Sequence, residues 1–509
     1  MKQIITILIL STLFFSACQK GDIVRIYPDQ VVTKNFLGNG VQWDPYPHAD
    51  SPVAEWGMLM TDEKWQMVFK RLDYMQPRLA RVTDQANWRY LQGFDSKGNA
   101  ILDFDTPKEK ALEKLLDYCQ FNDITVMLGE WGTPYAVHDT DAGFSGILTG
   151  ANDPRWTEMI VKHLDYLINQ KGFTCIRYFN LINEPNGDWA STDGNWDEWN
   201  EGAAMLANAL KESGLDKYVT VAGPDAVAHY DHPNSQYTGM QWVEQTAKHL
   251  GNEIGALEIH AYFDQTVIRE ARFDSIYKPL VDLARSIDKP ILFGEVGFEK
   301  ATPENQARVE ADPYASPDSY MAVYDFQHGL DMADAAIQLM NTGFHGAAAW
   351  ALDDAMHTMN DSGNPNELKR WGMWNSLGTE LCNNPADEDL RPWFFTWSLL
   401  CRYIQPGSQI VKTNPTNLDG VRLTVALNGT EITVALVNQS DVDQQINLEI
   451  PIEFIRQNIK LFSFIENNFQ TDESGFPVAE NQNIHISKKG LVKVNLPAKS
   501  FKLITSYLY

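Results

Sequence analysis

The 509-residue sequence predicts an α/β protein: a closed (β/α)8 barrel followed by a C-terminal antiparallel β-sandwich. Two observations carry this. From Phe36 to about Tyr403 strand-like and helix-like segments alternate strictly, eight of each, which calls for a parallel sheet and by its count for a closed barrel. After Pro406-Gly407 helical periodicity stops and short alternating runs take over, the pattern of stacked antiparallel strands. A third observation is an absence. No glycine-rich phosphate loop follows the first strand, which argues against an open nucleotide-binding sheet.

The expected barrel strands are 37–43, 78–83, 125–131, 176–183, 219–223, 256–263, 291–296 and 347–352. The expected helices are 62–75, 108–121, 156–170, 196–213, 241–250, 276–287, 330–340 and 391–403. Thr61-Asp62-Glu63 loads the first helix start with an acceptor and negative charge. In the sandwich, strands are expected at 422–427, 431–437, 445–450, 459–464, 491–496 and 501–507. Asn428-Gly429 between two of them is a hairpin signal, because both central positions of a type I′ turn need positive φ. The strand-like segment 23–34 precedes the barrel and is a candidate to pair with the sandwich.

An excess of 67 acidic over 41 basic residues leaves a net charge of −26, which disfavours nucleic acid and anionic membrane surfaces as partners. A neutral polysaccharide carries no such penalty. Residues 1–18 read as an export signal: Lys2, an apolar run from Ile4 to Phe15, then Ser16-Ala17-Cys18. The segment resembles a bacterial lipoprotein signal, with Cys18 as the lipid-bearing residue, although Phe15 stands where leucine is usual. A plain secretory signal is the alternative. The mature protein is then expected to be exported and held at a bacterial outer membrane by acyl chains alone. The expected organisation is residues 1–18 signal, 19–35 N-terminal strand or linker, 36–404 barrel and 405–509 sandwich. Cys119, Cys175, Cys382 and Cys401 have no metal-site or disulfide spacing; Cys119 and Cys175 read as buried small hydrophobes.

In a parallel barrel, chemistry sits at the carboxyl ends of the strands, so each strand end is a candidate site residue. The fourth strand ends in Asn183-Glu184-Pro185, where Pro185 can offer no N–H to the ladder. The seventh carries Glu295. Two carboxyls on two strands of one barrel are the minimal equipment for glycoside hydrolysis. The sixth strand adds Glu258, His260 and Tyr262 at a spacing of two, hence on one side of the sheet. The second, third and eighth contribute Arg81, Trp131 and Trp350, and the first contributes Trp43. Each has a plainer reading: Arg81 as an ion pair with Asp84 or another carboxylate, His260 as a core histidine, and the tryptophans as packing. Glu258 reads as a buried structural partner. Asp353-Asp354-Ala355-Met356-His357 and His138-Asp139-Thr140-Asp141 lack metal-site spacing and read as solvated loop polars, so no metal or cofactor is expected.

Asn-Glu-Pro ending strand four, a glutamate ending strand seven and His-x-Tyr ending strand six together resemble the clan A glycoside hydrolases, retaining barrel enzymes of families such as five, thirty and thirty-nine. The resemblance covers about 36–403. It implies Glu184 as acid/base, Glu295 as nucleophile, Asn183 bonded to the sugar 2-hydroxyl and Tyr262 donating to Glu295. It also implies that Arg81 lowers the Glu295 pKa, that His260 lines the subsite and that Trp350 forms its floor. The implied protein is a monomeric, lipid-anchored retaining β-glycosidase acting on an oligo- or polysaccharide. A non-catalytic surface glycan-binding lipoprotein on the same scaffold, and a transglycosylase, are the alternatives.

Overall fold

The structure, a computed structural model, describes residues 22–47, 59–134, 148–357, 367–455, 459–480, 484, 486–487 and 489–508. The signal segment with Cys18, and the 138–141 cluster, lie outside the described residues.

Eight parallel strands close into a barrel: Gly38–Gln42, Leu79–Asp84, Thr125–Glu130, Ile176–Asn180, Thr220–Val227, Ala256–Phe263, Ile291–Phe298 and Gly346–Ala349. The strands pair in sequence order, and the eighth pairs with the first. Their residues are almost all buried because barrel interior and helix layer cover both faces, so the strands read as near-continuous apolar runs. The helices that follow them in turn are Asp62–Met75, Pro107–Phe121, Pro154–Asp165, Trp196–Ser213, Gly239–Leu250, Phe273–Ser286, Phe326–Thr342 and Pro392–Tyr403. Thr61, Thr106, Asp153, Asn195 and Thr238 cap five of them with side-chain oxygens, satisfying first-turn N–H groups.

The differences from expectation lie at element ends. The fourth strand stops at Asn180, three residues before the expected end, and the fifth runs on to Val227 instead of stopping at Gly223. The expected helix 156–170 is an α-helix that relaxes into a π-turn over Tyr166–Gln170. The long connection 299–319 contains a helix of its own, Pro303–Ala311.

The C-terminal strands pair antiparallel with one another, as expected, and strand Asp22–Phe36 joins them to make the region a mixed β structure. Strand Asp22–Phe36 is shared by its two sheets. Its first residues pair in parallel with Gln444–Glu449, and its remainder pairs antiparallel with Ser408–Thr413. Register shifts along the second pairing let one long strand bend from sheet to sheet. Val24, Val425, Val434, Ile446 and Val492 meet in the apolar layer between them. The hairpin between Val421–Asn428 and Glu431–Asn438 is displaced by one residue from expectation. Asn428 pairs with Glu431, so Gly429 and Thr430 form the turn, and of these Gly429 alone has positive φ, at +58°. The other face of this region packs on the barrel through helices Phe326–Thr342 and Pro392–Tyr403, where Arg422 forms an ion pair with buried Asp334. The four cysteines after Cys18 are free and buried.

Candidate active site

Arg81 lies at the centre of the barrel mouth. It points inward from the second strand and is buried. Its Nη1 donates to Glu295 Oε1 at 2.6 Å, to Gln42 Oε1 at 3.0 Å and to Thr83 Oγ1 at 3.1 Å. Its Nη2 donates to Asn183 Oδ1 at 2.7 Å and to Asp225 Oδ2 at 2.9 Å. One guanidinium therefore ties together the ends of strands one, two, four, five and seven. A planar fork of donors suits this task, and a lysine could not replace it. Asp84, the partner in the plainer reading of Arg81, is paired with Arg89 at 2.6 Å.

His260 bridges the carboxylates. Its Nδ1 lies 3.1 Å from Glu184 Oε1 and 3.6 Å from Glu295 Oε2, and its Nε2 lies 2.9 Å from Asp225 Oδ1 and 3.4 Å from Glu258 Oε1. The Tyr262 hydroxyl donates to Glu295 Oε2. An oxygen of Glu184 and an oxygen of Glu295 lie within 4.8 Å of each other. Glu184 holds φ +49° and Asp225 φ +63°, left-handed backbone that costs a non-glycine residue about 1 kcal/mol or more. That conformation is held by the Glu184 N–H bond to the Asp225 carbonyl at 3.1 Å and the Gly187 N–H bond to the Glu184 carbonyl at 2.8 Å.

The charges are distributed unevenly. Burial alone would lower the His260 pKa, but Glu295 and Asp225 more than reverse this and hold it well above the imidazole range. Burial alone would raise Asp225, and Arg81 and His260 outweigh it, leaving Asp225 lowered. Glu258 is pushed well up by burial and by the Asp225 charge. Burial raises Glu295, with His260, Arg81 and the Tyr262 hydroxyl pulling the other way. Arg81 lowers the Glu295 pKa, as expected, but the net shift is upward, because burial outweighs the neighbouring cations. Gly294 makes the packing possible, since a Cβ there would fall 1.7 Å from Glu258 Oε1.

Glu184, Glu295, Asn183, His260, Tyr262 and Arg81 converge at this one place. The tryptophans divide. Trp131 is 38 % exposed at the rim. Trp350 is 7 % exposed, and His357 stacks on it at 5.2 Å between ring centroids. Trp43 is fully buried and lies edge-on to Tyr118 of the second helix, so it is a packing residue with no access to a ligand. The reason is strand alternation: Gln42 points into the barrel to meet Arg81, so its neighbour points out. Asp353 and Asp354 are likewise corrected, from solvated loop polars to buried structural groups. Asp353 accepts from Tyr46 and Trp374 at 2.7 and 2.8 Å, and Asp354 is paired with Arg391. Three participants escaped sequence reasoning: Gln42, Asp225 and Trp189. Asp225 was hidden by ending strand five at Gly223; an aspartate immediately after Gly223-Pro224 was the available signal. Trp189 reaches back to donate its Nε1–H to Glu184 Oε2 at 2.7 Å.

Two overlapping groups, Glu184/His260/Glu295 and Asp225/Glu258/His260, bring three potential ligand atoms close enough for a metal ion. Arg81 supplies a positive charge to one member of each group, Glu295 and Asp225.

No protein-family model and no curated protein matches the sequence. Solved structures do. A GH30 endoxylanase from Clostridium papyrosolvens C71 aligns with TM-score 0.61 at 12 % identity, over 96 % of this chain and all of that one. A family 51 α-L-arabinofuranosidase from Bifidobacterium longum aligns with TM-score 0.62 at 12 % identity, over 95 % of this chain and 99 % of that one. A GH39 β-xylosidase from Caulobacter crescentus gives 0.59 at 12 % identity, over 95 % and 99 %. The chain is structurally similar to clan A glycoside hydrolases. The likeness spans barrel and C-terminal region together, and at this identity it speaks for the fold alone.

Proposed function

We propose that the protein is a retaining β-glycoside hydrolase of a β-linked oligo- or polysaccharide, with Glu295 as nucleophile and Glu184 as acid/base. The observation that carries this reading is the approach of the two carboxyls to within 4.8 Å between nearest oxygens. Retaining enzymes hold their carboxyl groups about 5–5.5 Å apart, whereas inverting ones leave about 6.5–9.5 Å for a water.

In the first step a Glu295 oxygen attacks the anomeric carbon. The glycosidic C–O bond breaks, and the Glu184 proton passes to the departing oxygen. In the second step water gives its proton to Glu184, its oxygen bonds the anomeric carbon, and the ester bond to Glu295 breaks. Arg81 and Tyr262 hold both oxygens of Glu295 in place, so the attacking group needs no reorganisation. Asn183, with its Oδ1 committed to Arg81, is left to use its amide N–H toward a sugar hydroxyl. Asp225, Arg81 and His260 form the charged base on which the pair rests. Trp131 and Trp350 are proposed to contact sugar rings, as flat apolar faces with a polar edge.

The test is turnover of β-glucans, mannans and xylans by wild type, Glu184→Gln and Glu295→Gln. Loss of nearly all hydrolysis in both variants, with the protein still folded, is expected. Near-normal turnover by Glu295→Gln defeats the assignment. Retarded migration in a polysaccharide gel without release of reducing sugar would favour the glycan-binding alternative. We also propose export and lipid attachment at Cys18, checked by labelled palmitate entering the wild type but not Cys18→Ala.

A further inference from the structure

We propose that Trp189 is the positioning residue for the acid/base carboxyl and the platform of the leaving-group subsite, so that the departing group is a sugar ring. This rests on the assignment of Glu184 above. Glu184 has two oxygens with different neighbours. Oε1 faces inward to His260, while Oε2 faces the indole N–H of Trp189 at 2.7 Å. Glu295 and His260 occupy the inner side, where the cleaved sugar must present its anomeric carbon. The departing oxygen and whatever it carries therefore lie on the outer side, the side on which Trp189 stands.

The loop is built to keep the indole there. Asn186 pins it to the end of strand five, donating to the Val227 and Tyr230 carbonyls and accepting from the Val227 N–H. The indole folds back over Gly187, where a Cβ would fall 2.3 Å from Trp189 Cε2, so only glycine leaves it room. Tyr230 packs against the indole at 4.7 Å between centroids. Even so, Trp189 remains 40 % exposed, a large apolar side chain kept in water beside a carboxyl pair. An aromatic face in that position suits the C–H face of a sugar ring.

The indole N–H is a donor only, and a carboxyl oxygen keeps acceptor capacity when protonated. The bond therefore survives both states of Glu184 and fixes the plane of the carboxyl through both steps. Orientation of the acid matters in proportion to how much the departing oxygen needs a proton. Trp189→Phe keeps a ring and removes the N–H; Trp189→Ala removes both.

The experiment measures kcat/KM, which reports the first step, on 2,4-dinitrophenyl, 4-nitrophenyl and phenyl β-glycosides in glucose, mannose and xylose series. A hydrogen bond to a charged group corresponds to roughly 10- to 100-fold. Trp189→Phe is expected to lose that factor on the phenyl glycoside and less than about 3-fold on the dinitrophenyl glycoside, whose leaving group needs no proton. Gly187→Ala, which displaces the indole without deleting it, should show the same graded loss. Trp189→Ala should in addition raise KM for β-linked oligosaccharides. A loss equal across the aryl series, or none, overturns the inference. Glu184→Gln run alongside separates the two levels: if it too shows no dependence on leaving group, the assignment of Glu184 falls; if it does while Trp189→Phe does not, only the role of Trp189 falls.

Discussion

Glu130 offers a quantitative test of how the barrel mouth is held. It ends the third strand, and its carbonyl accepts the Asn183 N–H at 2.9 Å, next to Glu184. Its buried side chain accepts from the Ala86 N–H at 2.9 Å and the Tyr90 hydroxyl at 3.1 Å. Burial, and then the Asp84 charge, push its pKa up to about 8 from 4.5, against His163 and the two hydrogen bonds. Between those two values the folded chain keeps a proton that the unfolded chain has lost. Stability is therefore full below the unfolded value, falls as pH rises, and reaches its lowest level above the folded value. Each pH unit in this window removes about 1.4 kcal/mol, so going from about pH 5 to about pH 8 weakens folding by roughly 4 kcal/mol. That is a large part of the 5–15 kcal/mol typical of a domain. Glu130→Gln keeps the shape, with an oxygen for Ala86 and an amide N–H that can donate to the Tyr90 oxygen, but cannot ionise. Urea unfolding followed across this range should show a steep decline in the wild type and a shallower one in Glu130→Gln, the gap widening by about 4 kcal/mol. Parallel curves would refute the claim that Glu130 is held protonated by its surroundings.

Other outcomes follow from the same geometry. Arg81→Met strands Glu295 and Asp225 as buried carboxylates and should cost about 3–5 kcal/mol at neutral pH. The lowered Asp225 adds stability above its unfolded pKa that is lost as pH falls through its folded one. The gap to wild type in urea unfolding should therefore shrink on acidification, and a gap independent of pH would mean the carboxylates are not what Arg81 compensates. Trp43→Phe should lower stability by about 1–2 kcal/mol through lost packing, with KM unchanged, because among the described residues the Trp43 N–H has no hydrogen-bond partner and its ring packs edge-on to Tyr118. A raised KM with unchanged stability would return Trp43 to the cleft.

Some of this protein was determined by local sequence. The barrel was legible because burial of a parallel strand on both faces writes continuous apolar runs, and each helix writes its own 3.6-residue period. The carboxyl ends of those strands could then be read directly, which is how Glu184, Glu295, His260, Tyr262 and Arg81 were found. What tertiary structure alone decided is which way side chains turn once a strand ends, and what long-range neighbours do to charge. Trp43 faces out because Gln42 is held inward by Arg81. Strand five runs past Gly223 to Asp225 because Ala226 and Val227 go on pairing with Ile259 and His260 of strand six. Trp189 turns back over a glycine to a carboxyl five residues away, which no periodicity encodes. The Glu295 pKa rises instead of falling because burial is a property of the closed barrel, whereas the arginine that opposes it can be read from the chain. Periodic patterns record the local environment of a segment. Electrostatics and loop closure depend on groups far apart in sequence, and only folding brings those together.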